Sequence, residues 1–362
     1  MSEHRWLLIL VVIVVAANIF VGSYLWWSQK TELPVAHIAR SVAENTPGEE
    51  DLPVSLRLTR VNSERVLFPT ITRGGNVRFW DAGNATFAES KPDGGQYQTL
   101  ATLLHTAVRD VVWSPDGFTI AALVDSAMLH GWQLFDLRTE SFRSLPANVL
   151  AVAFSPKGDE VVYLENDGAR GRIVVTLADG TGAKEILATR MNSAELSWPT
   201  PERIALIATD SDGLRTLYLL GLDGRLVQVI QGRSQLHAVW SSDGSRVLLS
   251  WFEDGSLHTS IITLATARED APPITTLASK CAWSTVTAFV CGMPKTPLSS
   301  EGYGNTVVPD VLAVTRMTND TPWVTTTYAT TPLSVRETLT HGGWGVVRNA
   351  YDGLLWSFII PQ

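Results

Sequence analysis

Seven residues, Val111-Val112-Trp113-Ser114-Pro115-Asp116-Gly117, carry the pattern that organises most of this chain. A short apolar run closes on an aromatic and is followed by a tight turn. Each turn residue has a mechanical use: Pro presets φ, Asp accepts hydrogen bonds from turn amides, and Gly takes φ above zero. The plan returns as Val152-Ala153-Phe154-Ser155-Pro156-Lys157-Gly158, as Leu196-Ser197-Trp198-Pro199-Thr200-Pro201, as Ala238-Val239-Trp240-Ser241-Ser242-Asp243-Gly244 and as Cys281-Ala282-Trp283-Ser284. The aromatic landmarks stand at 113, 154, 198, 240 and 283, so the spacings are 41, 44, 42 and 43 residues.

A period near 42 residues built only of strands and turns predicts a β-propeller with four-stranded blades. Within each repeat the turn leads to a second strand such as Ile120-Ala121-Ala122-Leu123-Val124, then to a third such as Trp132-Gln133-Leu134-Phe135-Asp136-Leu137. A polar turn such as Asp223-Gly224 then opens a short fourth strand, Leu226-Val227-Gln228-Val229-Ile230. An opening unit runs from Val66 to Leu100, and a closing unit runs from about Val335 to Ile360 and lacks a fourth strand. The segment 53–60 predicts that missing strand and closes the ring, because an open ring would leave a long unpaired sheet edge at each end. The expectation is an all-β, seven-bladed propeller over 53–361, with six or eight blades as the alternatives.

Working outward, Trp6 to Trp27 holds no charged residue and would span roughly 33 Å as a helix, the thickness of a bilayer core. Trp6 at one end and Tyr24, Trp26 and Trp27 at the other stand where interfacial aromatic belts stand. The expectation is a five-residue tail (1–5), one transmembrane helix over 6–27 that anchors the chain in a membrane, and a stalk over 28–52 rich in Pro and acidic residues. A cleaved signal peptide is the competing reading, since Val21-Gly22-Ser23 offers small residues of the kind a signal peptidase accepts. A short amino-terminal tail before a large carboxy-terminal domain fits a signal anchor, with the large domain outside the cytoplasm at the cell membrane.

The Trp-Ser-Pro-Asp-Gly turns resemble the propeller repeats of the periplasmic Tol-system translocation protein and of the amino-terminal domain of dipeptidyl peptidase IV. Among such proteins the chain looks most like the single-span, surface-facing propellers of uncultivated bacteria with small genomes. The resemblance covers about 52 to 361 and implies a fold while saying almost nothing about activity, because propellers host enzymes, receptors and scaffolds alike.

The composition excludes more than it selects. With 28 Lys+Arg against 36 Asp+Glu the net charge is −8, which argues against a partner read through its phosphates, so no nucleic acid is expected. The seven His show no metal-ligand spacing, no Gly-x-Ser-x-Gly elbow exists, and neither a cofactor, a metal nor catalytic residues are expected. Cys281 and Cys291 lie symmetrically about residue 286, at a predicted hairpin turn, so they should stand opposite each other and are the disulfide candidates.

In an antiparallel blade, the segment leading into strand one and the loop from strand two to strand three share a face of the disc. The Ser-Pro-Asp-Gly turns take the other face. Arg109, Asp110, Asn148, His237 and Lys280 precede first strands, should ring the central channel on the first of these faces, and are therefore binding-face candidates. Tyr303 joins them from the long insertion 294–306. The leading expectation is a non-catalytic binding or scaffold module for a protein, envelope polymer or small ligand. The alternative is a lyase or glycan hydrolase with its site at the channel mouth.

Overall fold

The computed structural model describes residues 54–361 apart from 104–106, 127–129, 169, 297–306, 319–320 and 330–331. The tail, predicted span and stalk therefore lie outside the described residues. No helix among the described residues is long and apolar enough to cross a membrane.

Two short strands come first, β1 (Val54–Ser55) and β2 (Thr59–Arg60). The first four-stranded sheet holds β3 (Val66–Ile71), β4 (Val77–Asp81), β5 (Thr86–Ser90) and β6 (Gln98–Thr102). The second holds β7 (Ala107–Trp113), β8 (Thr119–Asp125), β9 (His130–Asp136) and β10 (Ser141–Ser144). The third holds β11 (Val149–Phe154), β12 (Glu160–Asn166), β13 (Gly171–Leu177) and β14 (Lys184–Thr189). A seven-stranded sheet follows, with β15 (Ala194–Thr200), β16 (Arg203–Thr209), β17 (Leu214–Gly221), β18 (Leu226–Trp240), β19 (Arg246–Glu253), β20 (Ser256–Thr263) and β21 (Arg268–Asp270). Next, β22 (Cys281–Thr285), β23 (Ala288–Pro294), β24 (Asp310–Thr318) and β25 (Thr321–Ala329) take β1 on their outer edge. The last sheet joins β26 (Val335–His341), β27 (Trp344–Asn349) and β28 (Leu355–Ile359) to β2.

The innermost strands touch in succession, β3 to β7 to β11 to β15, then β18 to β22 to β26 and back to β3. Apolar clusters fill the spaces between neighbouring sheets. Trp80 and Phe87 of the first meet Ile120 and Phe135 of the second, and the final cluster sets Val346 and Leu355 against Val77 and Phe79, joining the last sheet to the first. The repeated aromatic also ties sheets together: Trp113 Nε1 donates to Phe68 O at 2.7 Å and Trp283 Nε1 to Val239 O at 3.0 Å, each reaching the preceding inner strand.

The turns work as their residue types suggest. Asp116 Oδ1 accepts from the Ser114 hydroxyl and the Phe118 amide, while the Thr119 amide donates to Ser114 Oγ. Ser241 and Asp243 repeat the network. Gly117 has φ of +74°, and a Cβ there would come within 2.9 Å of Arg78 Nη1, so both backbone and space call for glycine.

Two features depart from the sequence expectation. Leu226–Ile230 was expected to end as a fourth strand, yet β18 runs on for 15 residues and becomes the innermost strand of the next repeat, merging two repeats into one sheet. The closing segment does not form one strand either. Val54–Ser55 pairs in parallel with Tyr328–Ala329 of β25, and only Thr59–Arg60 pairs with β28. Between them Leu56 and Leu58 pack onto the cluster of Tyr328, Leu333, Val335 and Phe358, so the chain straddles the seam between the last two sheets to bury both leucines.

Candidate functional site

The inner strands share a local irregularity that no composition reveals. Strand β7 skips a residue of register between Val108 and Asp110, β11 between Val149 and Ala151, and β26 between Val335 and Glu337. Strand β18 does so between Ser234 and His237, and β3 between Leu67 and Thr70. A bulge bends its strand and re-aims the neighbouring side chain. It lies near the start of β7, β11 and β26, in the middle of β3 and in the second half of β18, and it redirects Asp110, His237 and Glu337. Glu195, the second residue of β15, joins them.

The charges at this mouth are mostly paired. Arg215, from the start of β17, forms an ion pair with Glu195 and donates to Leu236 O at 2.7 Å. Arg348 grips Glu337 with Nε and Nη2 at 3.1 and 2.9 Å. At the outer margin Arg109 and His130 both reach Asp125, at 3.3 and 3.0 Å, in an exposed group.

Two titratable groups stand apart, since neither Asp110 nor His237 takes a hydrogen bond from another side chain among the described residues. Part of Asp110 is exposed, yet burial of the rest pushes its carboxyl above the ordinary value. The nearby Glu337 charge adds to this and the Val111 amide opposes it. His237 is half-buried, and burial pushes its imidazole below 6.5; Arg215 pushes the same way and Glu195 the other. His237 is therefore neutral at pH 7.

The other residues singled out from sequence have different fates. Asn148, just before β11, is half-buried, and its carbonyl accepts the Asn166 amide at 3.1 Å. Lys280, one of the binding-face candidates, is buried and paired. It closes a one-turn 3-10 helix (Ala278–Lys280), is only 8% exposed, and donates through Nζ to both Asp310 oxygens at 3.1 and 2.9 Å. Asp310 is fully buried and also accepts the Val335 amide at 2.6 Å, so the pair knits two sheets together. Burial pushes the Asp310 carboxyl up, with Lys280 and the Val335 amide pulling against it. Tyr303 and residues 297–306 of the long insertion lie outside the described residues. Cys281 stands directly opposite Cys291, and their sulfurs are bonded at 2.04 Å.

Glu195, Arg215, Glu337 and Arg348 were not singled out from sequence. The two glutamates could have been found by their place two or three residues into a first strand, whereas the arginines lie on other strands and reach the mouth only in the folded sheet. Among the described residues, clefts lie between the second and third sheets, beside Asn62, Asp81 and Tyr97, and beside Pro201 and Val227.

With this geometry in place, the similarities are informative about fold. The chain superposes on an oligogalacturonate lyase in complex with manganese with a TM-score of 0.61 at 14% identity, over 86% of this chain and 95% of that one. An oligogalacturonate lyase of Vibrio parahaemolyticus gives 0.59 at 10% identity, over 86% and 99%. TolB of Acinetobacter baumannii gives 0.46 at 16% identity, over 70% and 61%, and the fold assignment rests on the two lyases. These relatives are β-propellers, and the chain is an all-β protein of propeller class. No family model and no curated protein matches the sequence. The manganese of the first lyase prompts a test of fit. Among the described residues no three His, Cys, Asp or Glu side chains stand together as a metal site requires, so no step is derived through such an ion.

Proposed function

We propose that this chain is a seven-bladed β-propeller, held at a membrane by residues 6–27 with the ring outside the cytoplasm. In this reading it is a non-catalytic binding module that takes a protein or envelope ligand at the channel mouth. Counting the seven-stranded sheet as two blades that share β18 supports the number seven. The uncharged run Trp6 to Trp27 supports the anchor.

One observation carries the binding reading. The strong charges of the mouth are already engaged as Arg215–Glu195 and Arg348–Glu337, which offers a fixed pattern of donors and acceptors at little further ordering cost. A ligand docking there would meet Asp110 and the neutral His237, which take no side-chain hydrogen bond among the described residues. The enzyme reading stays as the second because those two groups are also the perturbed ones at the mouth, and perturbed pKa values cluster at functional sites.

Co-purification from intact membranes with the Asp110→Asn/His237→Gln variant separates the two readings. A binding module loses its captured partner, with an occupancy drop of roughly tenfold, and neither protein cleaves uronate or neutral glycan polymers. Unchanged capture would sink the binding reading, and glycan cleavage by the wild type that the variant lacks would establish the other.

A further inference from the structure

The cleft between the second and third sheets lies on the side of the Ser-Pro-Asp-Gly turns, away from the bulged inner-strand ends. It has a volume of about 360 Å³ and is lined by Asp116, Asp136, Arg138, Phe142, Arg143 and Asp179 among others. Phe142 stands on the edge strand β10 with 57% of its surface exposed, so an apolar ring borders a cleft whose other walls are charged.

The charged groups are held in place. Arg138 reaches Asp136 with Nη2 at 3.0 Å, and its guanidinium lies 5.1 Å from the Phe118 ring centre. Arg143 donates to Asp179 O at 3.2 Å and runs over Gly180, where a Cβ would come within 2.7 Å of Arg143 Cδ. Asp116 and Asp179 each commit Oδ1 to their own turn, while Oδ2 of each takes no hydrogen bond among the described residues.

Charge selects the ligand class. Burial pushes Asp116 up, but the Ser114 hydroxyl, the Phe118 amide and Arg138 outweigh it, so its carboxyl ends below the ordinary value. Arg138 does the same for Asp136, and the Thr181 hydroxyl and amide for Asp179. Three ionised aspartates against two arginines leave the cleft with one net negative charge, which disfavours phosphate or carboxylate ligands, and the two guanidiniums disfavour a cation. A neutral polyhydroxylated ligand meets neither penalty. Its hydroxyls can donate to the free carboxylate oxygens and accept from guanidinium N–H groups, while its C–H face rests on the Phe142 ring. We infer that this cleft is a binding subsite for a neutral oligosaccharide.

The molecule contains its own control. The cleft beside Pro201 sits at the corresponding place on the seven-stranded sheet, with a volume of about 600 Å³. There Leu226 pairs with Leu220 in the register at which Phe142 pairs with Phe135, and Val227 pairs with Leu219 where Arg143 pairs with Leu134. Its lining, which includes Arg203, Leu219, Arg225 and Val227, comes from that sheet and holds no aromatic side chain.

The test uses the full chain purified in an amine-oxide detergent, whose head group is not a sugar. Maltotriose, cellotriose and tri-N-acetylchitotriose are the neutral probes, and trigalacturonate and inorganic phosphate the anionic ones. They are followed by saturation-transfer NMR and calorimetry. The expected result is a neutral trisaccharide bound with Kd on the order of 1 mM, weakened roughly tenfold or more by Phe142→Ala and by Asp179→Asn, and unaffected by Val227→Ala. Phe142→Trp should retain binding, which excludes misfolding as the cause of the loss. The inference is overturned if no neutral probe binds, if only the anionic probes bind, or if Phe142→Ala binds as the wild type does.

Discussion

The second sheet and the five-stranded sheet solve one problem in two ways. Both must fix an inner strand against its hairpin partner. The second sheet does it locally, with Ser114, Asp116 and Gly117 folding the turn by side-chain hydrogen bonds to turn amides. The corresponding turn of the five-stranded sheet is Thr285-Val286-Thr287, with neither Pro nor Gly. Its strands are secured instead by the Cys281–Cys291 bond across the pair and by the buried Lys280–Asp310 pair that reaches β26 through the Val335 amide. A strict repeat is therefore unnecessary for a blade: where turn chemistry is lost, long-range links replace it, and their failure costs more because they are buried.

The largest effect should come from halving the buried pair. Asp310→Ala leaves the Lys280 ammonium without its partner and the Val335 amide without an acceptor, at a cost of about 3–5 kcal/mol in urea denaturation. The double variant Lys280→Met/Asp310→Leu removes both charges and should recover most of that loss. If it does not, shape rather than charge balance holds this seam. Next in size, Cys281→Ala/Cys291→Ala should cost about 2–3 kcal/mol, by opening a short covalent loop, and the same shift should appear in the wild type under reductant.

Asp116→Ala should cost only about 1 kcal/mol, since it removes turn hydrogen bonds at a partly exposed site. Acid should divide the two regions by sign. The Asp116 and Asp243 carboxyls are lowered from 3.8, so the stability they contribute is present above that value and lost as pH falls through their lowered pKa values. The Asp310 carboxyl is raised, so its ionisation opposes folding: its contribution is present below 3.8 and is lost as pH rises through its raised pKa. Thermal melts from neutral to acid pH should therefore show a shallower acid loss in Asp116→Asn than in the wild type. The smallest effect belongs to the exposed Arg109–Asp125 pair, where Arg109→Ala should stay within about 0.5 kcal/mol of wild type.

Much of the fold was legible because its signals are local. The aromatic at a 42-residue period, the turn residues after it and the symmetry of Cys281 and Cys291 about residue 286 all depend on neighbours in the chain, and the register Cys281 to Cys291 follows from that symmetry. Bulges were illegible, because a skipped residue such as Arg109 or Leu150 is chosen by the partner strand and leaves no mark in composition. The burial of Lys280 was illegible for a related reason. Its partner Asp310 lies 30 residues away, beyond the long insertion, and nothing near Lys280 announces it.

The repeat, its turns and most of the strands were thus legible in the sequence alone, through rules that act within one hairpin. Only the tertiary structure decided which strands merge, how 54–60 divides between two sheets and which charges pair. Those outcomes depend on burying apolar side chains such as Leu56 and Leu58, and on neutralising charges such as Lys280, against partners that folding brings near.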